Sequence, residues 1–228
     1  MNQEPPTVPS HIAIIMDGNR RWAREHNLPV LEGHRRVVDH VLEPLIEHAS
    51  VRGVKYLTLW AWSTENWKRE SSEVKGIMNL LRYGFSTFGD RMHANGIRIL
   101  VIGNTAEFDS DIQELLTRYV EKTKDNTKIT VTFALNYGGR DEIIRAINKA
   151  DSQQLTAESL SLLLDTAGTP DPDLIVRTGG EKRLSGFLLW QSQYSELFFE
   201  DWYMPDFTAN KLDKLIEEFA HRQRRFGK

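Results

Sequence analysis

Four polar clusters hold the residues whose types could do chemistry, and each follows an apolar run. They are Asp17-Gly18-Asn19-Arg20-Arg21, Ser63-Thr64-Glu65-Asn66-Trp67-Lys68-Arg69, Asn136-Tyr137-Gly138-Gly139-Arg140 and Arg177-Thr178-Gly179-Gly180-Glu181-Lys182-Arg183-Leu184-Ser185. Every cluster carries arginine, whose planar fork of donors matches phosphate oxygens. Three of them carry glycine pairs or Gly-Asn, which let backbone N–H groups approach an anion. Asp17 repels a phosphate unless a divalent cation sits between them, so a magnesium diphosphate is the simplest ligand that uses all three features. The competing reading of the same residues is that Asp17 caps a helix, the arginines form a solvated face and Trp22 is core. Four arginine-bearing turns brought to one edge of a sheet favour the anion site, with room for more than one phosphate group.

The elements between the clusters are those that deliver such turns. His11 to Met16 is an Ile-rich run that ends at Asp17-Gly18-Asn19, a strand followed by a tight turn and a helix starting near Asn19. Further strands are expected over Lys55–Trp62, Ile97–Ile102, Ile129–Leu135 and Asp173–Val176. Helices are expected over Gly33–Gly53 with a kink near Pro44, then Ser71–Asn95, Phe108–Lys124, Asp141–Ala150, Thr156–Leu164 and Lys211–Arg224. Alternating strands and helices, with strands apolar on both faces, predict one α/β domain around a mainly parallel sheet flanked by helices. In such sheets ligands bind beyond the carboxyl ends of the strands, where the four clusters fall.

Composition narrows the function classes. The chain has 228 residues, 40% of them hydrophobic and 27% charged, with a net charge of −3, which leaves no nucleic-acid footprint. It has no cysteine, so disulfide and thiolate chemistry are excluded and a cytoplasmic setting is compatible. Residues 1–10 lack the basic start and apolar core of a signal peptide and read as a flexible leader, leaving 11–228 as the catalytic domain. No apolar run reaches the ~18 residues of a membrane span, so membrane contact is expected to be peripheral at most. Trp60, Trp62 and Trp190 read as core, and His26, His40, His48, His93 and His221 show no metal-ligand spacing.

Taken together, HIAIIMDGNRRWA, Gly33-His34, LWAWSTENWKR, NYGGR and DLIVRTGGEKRLSGFLLWQSQYSELFF resemble the cis-prenyltransferases, the family of undecaprenyl diphosphate synthase. The motifs occur in order from His11 to Gly227, which makes the resemblance specific. It implies a homodimer with a hydrophobic product tunnel that extends an allylic diphosphate with isopentenyl diphosphate, forms a cis double bond at each step and needs Mg²⁺. By position, Asp17 corresponds to the central acid and metal ligand. Gly18, Asn19, Arg20, Arg21 and Trp22 correspond to the allylic diphosphate loop, with His34 beside it. Ser63, Thr64, Glu65, Asn66, Trp67 and Arg69 correspond to a loop between the two substrates, and Glu73 to a carboxylate just beyond it. Asn66 is a poor base, so its expected catalytic role is to orient a phosphate oxygen that takes the proton. Arg177, Arg183 and Ser185 correspond to the isopentenyl diphosphate site, and Glu196 to a second metal carboxylate. Arg225 and Gly227 match the RxG end thought to reach the partner's phosphate site. Arg20 stands where many bacterial members have glycine, and Val30 where some have a further arginine.

The implied product is undecaprenyl diphosphate, the cell-wall lipid carrier precursor, although the C-terminal block also resembles short-chain members of the (Z,E)-farnesyl type. Ala61 is small where the family's tunnel wall lies, which favours a longer product. Strand alternation predicts Trp60 and Trp62 on one face and Ala61 on the other. A haloacid-dehalogenase-type phosphatase is excluded because the position of its nucleophilic Asp is Ile15. A trans-prenyltransferase is excluded because no DDxxD pair exists. A non-catalytic partner subunit fits less well, because the chain keeps Asp17, Asn66, Arg177 and Arg183 together.

Overall fold

Residues 8–150 and 155–222 are described by the computed structural model. Among them six strands form one all-parallel sheet: β1 (His11–Ile15), β2 (Tyr56–Trp60), β3 (Ile97–Ile102), β4 (Ile129–Ala134), β5 (Leu174–Arg177) and β6 (Glu196–Phe199), in the order β3-β4-β2-β1-β5-β6. Parallel pairing forces a crossover between successive strands, and all but the β5–β6 connection, a run of turns over 178–195, are helical. They comprise α1 (Asn19–Glu25), α2 (Val30–Arg36), α3 (Leu42–Val51), α4 (Ser71–Ala94), α5 (Ser110–Thr123), α6 (Gly139–Lys149) and α7 (Ala157–Ser161); α8 (Ala209–His221) follows β6.

Helices on both sides require apolar side chains on both faces of the strands. Ile12, Ile14, Leu57, Leu59, Ile99 and Val131 belong to the larger core, with Leu45, Phe85, Leu116 and Leu215 from α3, α4, α5 and α8. Ala13, Ile15, Ala134 and Ile175 point the other way, against Tyr137, Phe187 and Leu188. β1 lies between β2 and β5, so the chain leaves it in opposite directions on its two sides. That is the switch point at which a crevice opens at the carboxyl edge.

His11 shows how tightly β1 is fixed. Its Nδ1–H donates to the Pro170 carbonyl at 2.7 Å, so Nε2 is the acceptor for the Thr58 hydroxyl at 2.8 Å. Burial holds its pKa down at about 4.

Three expectations need correction. The helical hydrogen bonding expected to break near Pro44 changes earlier, in a wider π turn over Val37–Val41 in which the Leu42 N–H donates to the Val37 carbonyl, and α3 runs on through Pro44. Proline cannot donate to the carbonyl four residues back and its ring clashes there, and the wider turn relieves both problems before Pro44 is reached. β6 was not anticipated: its apolar part, Leu197–Phe199, is only three residues long, too short for a periodic signal. Trp60 and Trp62 do not share a face. β2 ends at Trp60, and the Ala61 and Trp62 N–H groups both donate to the Ala134 carbonyl, so the two-residue alternation stops there. Trp60 packs with the smaller core and stacks on Phe187, whereas Ala61 and Trp62 belong to the larger one.

Candidate active site

At the carboxyl edge, between the turns after β1, β2 and β5, lies a cavity of about 530 Å³. Its mouth carries Arg20, Arg21, Arg24, Arg69, Arg177 and Arg183 against the carboxylates of Asp17 and Glu181. Such an excess of fixed positive charge draws in a polyanion. Inward, the wall changes to Val37, Ile77, Leu81, Phe85, Phe88 and Met92, a lining suited to a hydrocarbon chain.

Strand register sets the centre of the mouth. Ile15 pairs with Arg177, so the residue two places past Ile15 meets the last residue of β5. The Arg177 guanidinium donates through Nη2 to Asp17 Oδ2 at 2.9 Å, and through Nη1 to Ser185 Oγ at 2.8 Å and to the Arg183 carbonyl. Asp17 Oδ1 accepts the Gly18 N–H at 2.6 Å and lies 3.5 Å from Arg21 Nη2. Gly18 precedes α1 and no side chain caps that helix, so Asp17 is not its N-cap. Gly179 has φ +90°, and a Cβ there would sit 2.7 Å from Arg21 Nη2 and 3.1 Å from the Gly18 nitrogen. Only glycine lets the two phosphate-type turns close on each other.

A second group sits beside the first. Gly33 packs α2 on the start of α1 so closely that a Cβ would meet the Asn19 carbonyl oxygen at 2.0 Å, and this contact swings His34 into the cavity wall. Burial, and then the charges of Arg69 and Arg20, push the His34 pKa down to about 4. Its Nε2, the Arg20 Nε and the Asn19 Oδ1 are buried without a hydrogen-bond partner. Buried polar atoms are seldom left unpaired, and three in one wall fit a polar ligand seated there. Glu73 fixes the cations around them, bonding Arg69 Nη1 at 2.9 Å and lying 3.6 Å from Arg20 Nε. Asn66 Oδ1 accepts the Ser63 N–H at 3.1 Å within a reciprocal cap, which leaves the Asn66 NH₂ as the free end of that amide. As a donor it suits a phosphate oxygen.

The two neutral imidazoles have a measurable consequence. On unfolding, His11 and His34 regain a pKa near 6.5, so the unfolded chain binds protons first as pH falls. Stability is therefore full above about pH 6.5, declines below it and levels off near pH 4, by roughly 3 kcal/mol per imidazole. Urea unfolding at pH 7 and pH 5 should show the decline, and His34→Gln should remove about half of the histidine-linked part. An unchanged slope in that variant means His34 is not held neutral.

Several expected site residues lie elsewhere. Trp22 is buried away from the cavity, donates Nε1–H to Asp206 Oδ1 and stacks on His26, so it is core. Trp67 is anchored between Trp62 and Phe108 and donates to Asn136 Oδ1, and Thr64 packs at Gly138. Neither they nor Glu65 line the cavity, and Glu73 acts from behind the wall. Arg140 does not line it either, so three arginine turns rather than four supply the mouth. The Asn136–Gly139 turn is structural: Asn136 has φ +47° and the Tyr137 hydroxyl donates to buried Glu142. Glu196 begins β6 level with Leu174, at the opposite end of the sheet from Asp17, and pairs with Arg222 at 3.1 Å. One chain does not bring the two carboxylates together. Arg225 and Gly227 lie outside the described residues.

Arg24 lines the cavity without having been anticipated; Glu181, given only as a member of the fourth cluster, and Trp60, read as core, line it as well. Arg24 was readable, being one helical turn beyond Arg20 and Arg21 and hence on their face. Among the described residues no group of three or more His, Asp or Glu side chains forms a metal site. Mg²⁺ needs less, because it takes one or two carboxylates and completes its shell with phosphates and water. The Asp17 side chain is 32% exposed and has lone pairs left beyond its present donors, so it fits that role.

The family model described as "Putative undecaprenyl diphosphate synthase" matches residues 15–227. The chain belongs to this prenyltransferase family. Curated isoprenyl transferases are similar over nearly the whole length: that of Agrobacterium fabrum is 45% identical, covering 97% of this chain and 93% of the relative, and that of Aquifex pyrophilus is 42% identical, covering 97% and 96%. Lavandulyl diphosphate synthase from Lavandula x intermedia, solved in complex with dimethylallyl diphosphate, superposes with TM-score 0.92 at 29% identity, covering 97% of this chain and 99% of that one. A probable undecaprenyl diphosphate synthase from Campylobacter jejuni gives TM-score 0.81 at 34% identity, with both chains fully covered. The prenyltransferase therefore carries its arginine-rich mouth and apolar cavity on the fold of prenyl diphosphate synthases.

Proposed function

We propose that this cis-prenyltransferase condenses isopentenyl diphosphate onto an allylic diphosphate, with Mg²⁺, to give a Z-polyprenyl diphosphate of the undecaprenyl class. The single observation that carries this reading is one cavity whose mouth is cationic and whose interior is apolar. Gly18, Asn19, Arg20 and Arg21 bind the allylic diphosphate at the start of α1, with His34 beside it. Arg177, Arg183 and Ser185 bind isopentenyl diphosphate, and Asp17 would hold Mg²⁺. The metal neutralises diphosphate charge when bound.

As the allylic C–O bond breaks, its electron pair leaves with the diphosphate. The arginines already aimed at that group stabilise the charge as it develops. The terminal carbon of the isopentenyl double bond supplies the electrons for the new C–C bond. A proton is then lost from the adjacent CH₂ to a phosphate oxygen oriented by the Asn66 NH₂. The apolar wall keeps water from the allyl cation.

The neighbour solved with dimethylallyl diphosphate supports an allylic substrate. Exposed Ile144 and Ile147 on α6, Leu162 just past α7, and Leu189 and Tyr194 in the 187–194 segment support a homodimer, since large exposed apolar side chains favour association. In that dimer Glu196, Arg225 and Gly227 serve the partner's site. Among the described residues no helix is long and apolar enough to cross a membrane.

Ala61 lines the cavity. Ala61→Leu adds methylenes where the tail passes, an overpacking of about 1–3 kcal/mol. Products should then shift to shorter chains while early condensations continue, and chromatography of the products checks this. The reading as a whole is tested with purified protein, Mg²⁺, labelled isopentenyl diphosphate and dimethylallyl, geranyl or farnesyl diphosphate in turn. Products longer than the primer support it; no elongation of any primer overturns it.

A further inference from the structure

We propose that a second cavity, on the face of the sheet opposite the larger core, binds a small hydroxylated oxyanion whose charged end sits on Arg98 and whose hydroxyls meet the threonines of β2 and β4. The cavity measures about 240 Å³ and shares no lining residue with the one described above, so the proposal is independent of the prenyl-transfer reading.

Strand register creates it. A parallel sheet covered on both sides calls for apolar side chains on both faces, and Leu57, Leu59, Ile99 and Val131 supply them on the side of the larger core. The other face of the same strands breaks the rule. Across β2, β4 and β3 its first row is Tyr56, Thr130 and Arg98, and its second is Thr58, Thr132 and Leu100. Only the third row, Trp60, Ala134 and Ile102, rejoins the smaller core. Polar rows in a sheet built to be apolar are the kind of local inconsistency that marks a functional position.

The roof is a turn segment, 165–169, and it is held in place. The Asp165 N–H donates to Glu142 Oε1 at 3.1 Å, and Thr166 Oγ1 accepts Gln191 Nε2–H at 2.8 Å. Arg145 donates to both Asp165 oxygens, at 2.7 and 2.6 Å, and the Gly103 N–H reaches Oδ2 at 3.0 Å, so this carboxylate enters the lining already neutralised. The cavity is thus preformed, and far larger than the roughly 10–15 Å³ that one water requires.

Arg98 is the unmatched charge in the lining: it is exposed on the edge strand and makes no ion pair or hydrogen bond among the described residues. Thr132 is only 4% exposed, yet its hydroxyl has no partner among them either, nor have those of Thr130 and Thr169. Hydroxyls so placed are seldom left unpaired. A guanidinium with three rotatable O–H donors suits an oxyanion. Thr58 asks for something else. Its O–H is committed to His11 Nε2 at 2.8 Å, so its oxygen offers the cavity lone pairs alone. An ionised oxygen cannot donate to it, whereas a ligand hydroxyl does. Thr58 also lies two strands across and two residues along from Arg98, roughly 10 Å and 7 Å at sheet spacings. A short chain with a phosphate or carboxylate at one end and hydroxyls along it meets both groups at once.

The test is isothermal titration of the wild type, Arg98→Gln and Thr132→Val with glycerol 3-phosphate, glycerate and inorganic phosphate. Arg98 is exposed and valine keeps the shape of Thr132, so both variants are expected to fold, and melting temperatures verify it. The arginine-rich mouth of the first cavity also draws phosphate, but it is the same in all three proteins, so their differences report the second cavity alone. Glycerol 3-phosphate or glycerate is expected to bind this cavity of the wild type at least tenfold more tightly than inorganic phosphate does. That affinity should fall at least tenfold in Arg98→Gln and several-fold in Thr132→Val. A preference for either hydroxylated probe supports the proposal and tells a phosphate ester from a hydroxy acid. Isotherms that coincide in the three proteins, or inorganic phosphate binding here as tightly as both hydroxylated probes, overturn it.

Discussion

Asp17→Asn is expected to lower turnover by on the order of 10² to 10³, the usual loss when one preorganised electrostatic element is removed from an active site. Asn keeps the size of the side chain and can still accept the Gly18 N–H, but it loses the charge that faces Arg177 and Arg21. It also separates the two roles first considered for this residue, because Asn is as good a helix N-cap as Asp. Steady-state turnover with saturating substrates, alongside an unchanged far-ultraviolet circular dichroism spectrum, is the measurement. A folded Asp17→Asn protein at near-normal turnover would return Asp17 to a structural role.

Arg177→Met should cost a similar factor in kcat/KM for isopentenyl diphosphate, about 10² or more, because a buried charged partner lost from a binding site costs about 2–5 kcal/mol. Its side chain is only 7% exposed, and it ties Asp17 to the turn that carries Arg183 and Ser185. The accompanying loss of stability should be smaller, about 1–2 kcal/mol, since the Asp17 side chain left behind is a third exposed and partly solvated. Arg177→Lys should recover little of the activity: a single ammonium on a flexible stem cannot span Asp17 Oδ2 and Ser185 Oγ at once. Full activity in the lysine variant would show that charge alone matters and that the fork geometry does not.

Much of this architecture was legible because the physics that builds it is local. A doubly covered parallel sheet demands strands apolar on both faces, and His11–Ile15, Ile97–Ile102 and Ile129–Ala134 declare that in composition alone. Their turns were then bound to share one edge, and that brought Asp17 to Arg177 and Ser63 to the Asn136–Gly139 turn. What escaped depends on three-dimensional placement. The difference between Arg69, which faces the cavity, and Trp67, which packs into the core two residues earlier, is set by the short helical turn over Thr64–Lys68. That conformation leaves no mark in periodicity. Trp22 belongs by motif to the loop after β1, yet its indole hydrogen-bonds Asp206 and lies off the cavity, as the competing core reading of the same residue allowed. Glu196 illustrates the reverse limit: resemblance attaches it to Asp17, whereas the register of β6 against β5 puts it at the other end of the sheet. Two residues can belong to one motif set without meeting in one chain.

The central claim is that allylic diphosphate sits on the Gly18–Arg21 turn with its metal on Asp17 and its tail along α4. A crystal structure with Mg²⁺ and a thio analogue of farnesyl diphosphate, whose C–S bond resists ionisation, tests it most directly. The account predicts diphosphate oxygens on the Gly18–Arg21 backbone and Arg21, Mg²⁺ on Asp17, and the hydrocarbon running past Ile77 toward Met92. Diphosphate bound away from Asp17, or a tail lying on the Phe187 face of the sheet, would contradict it.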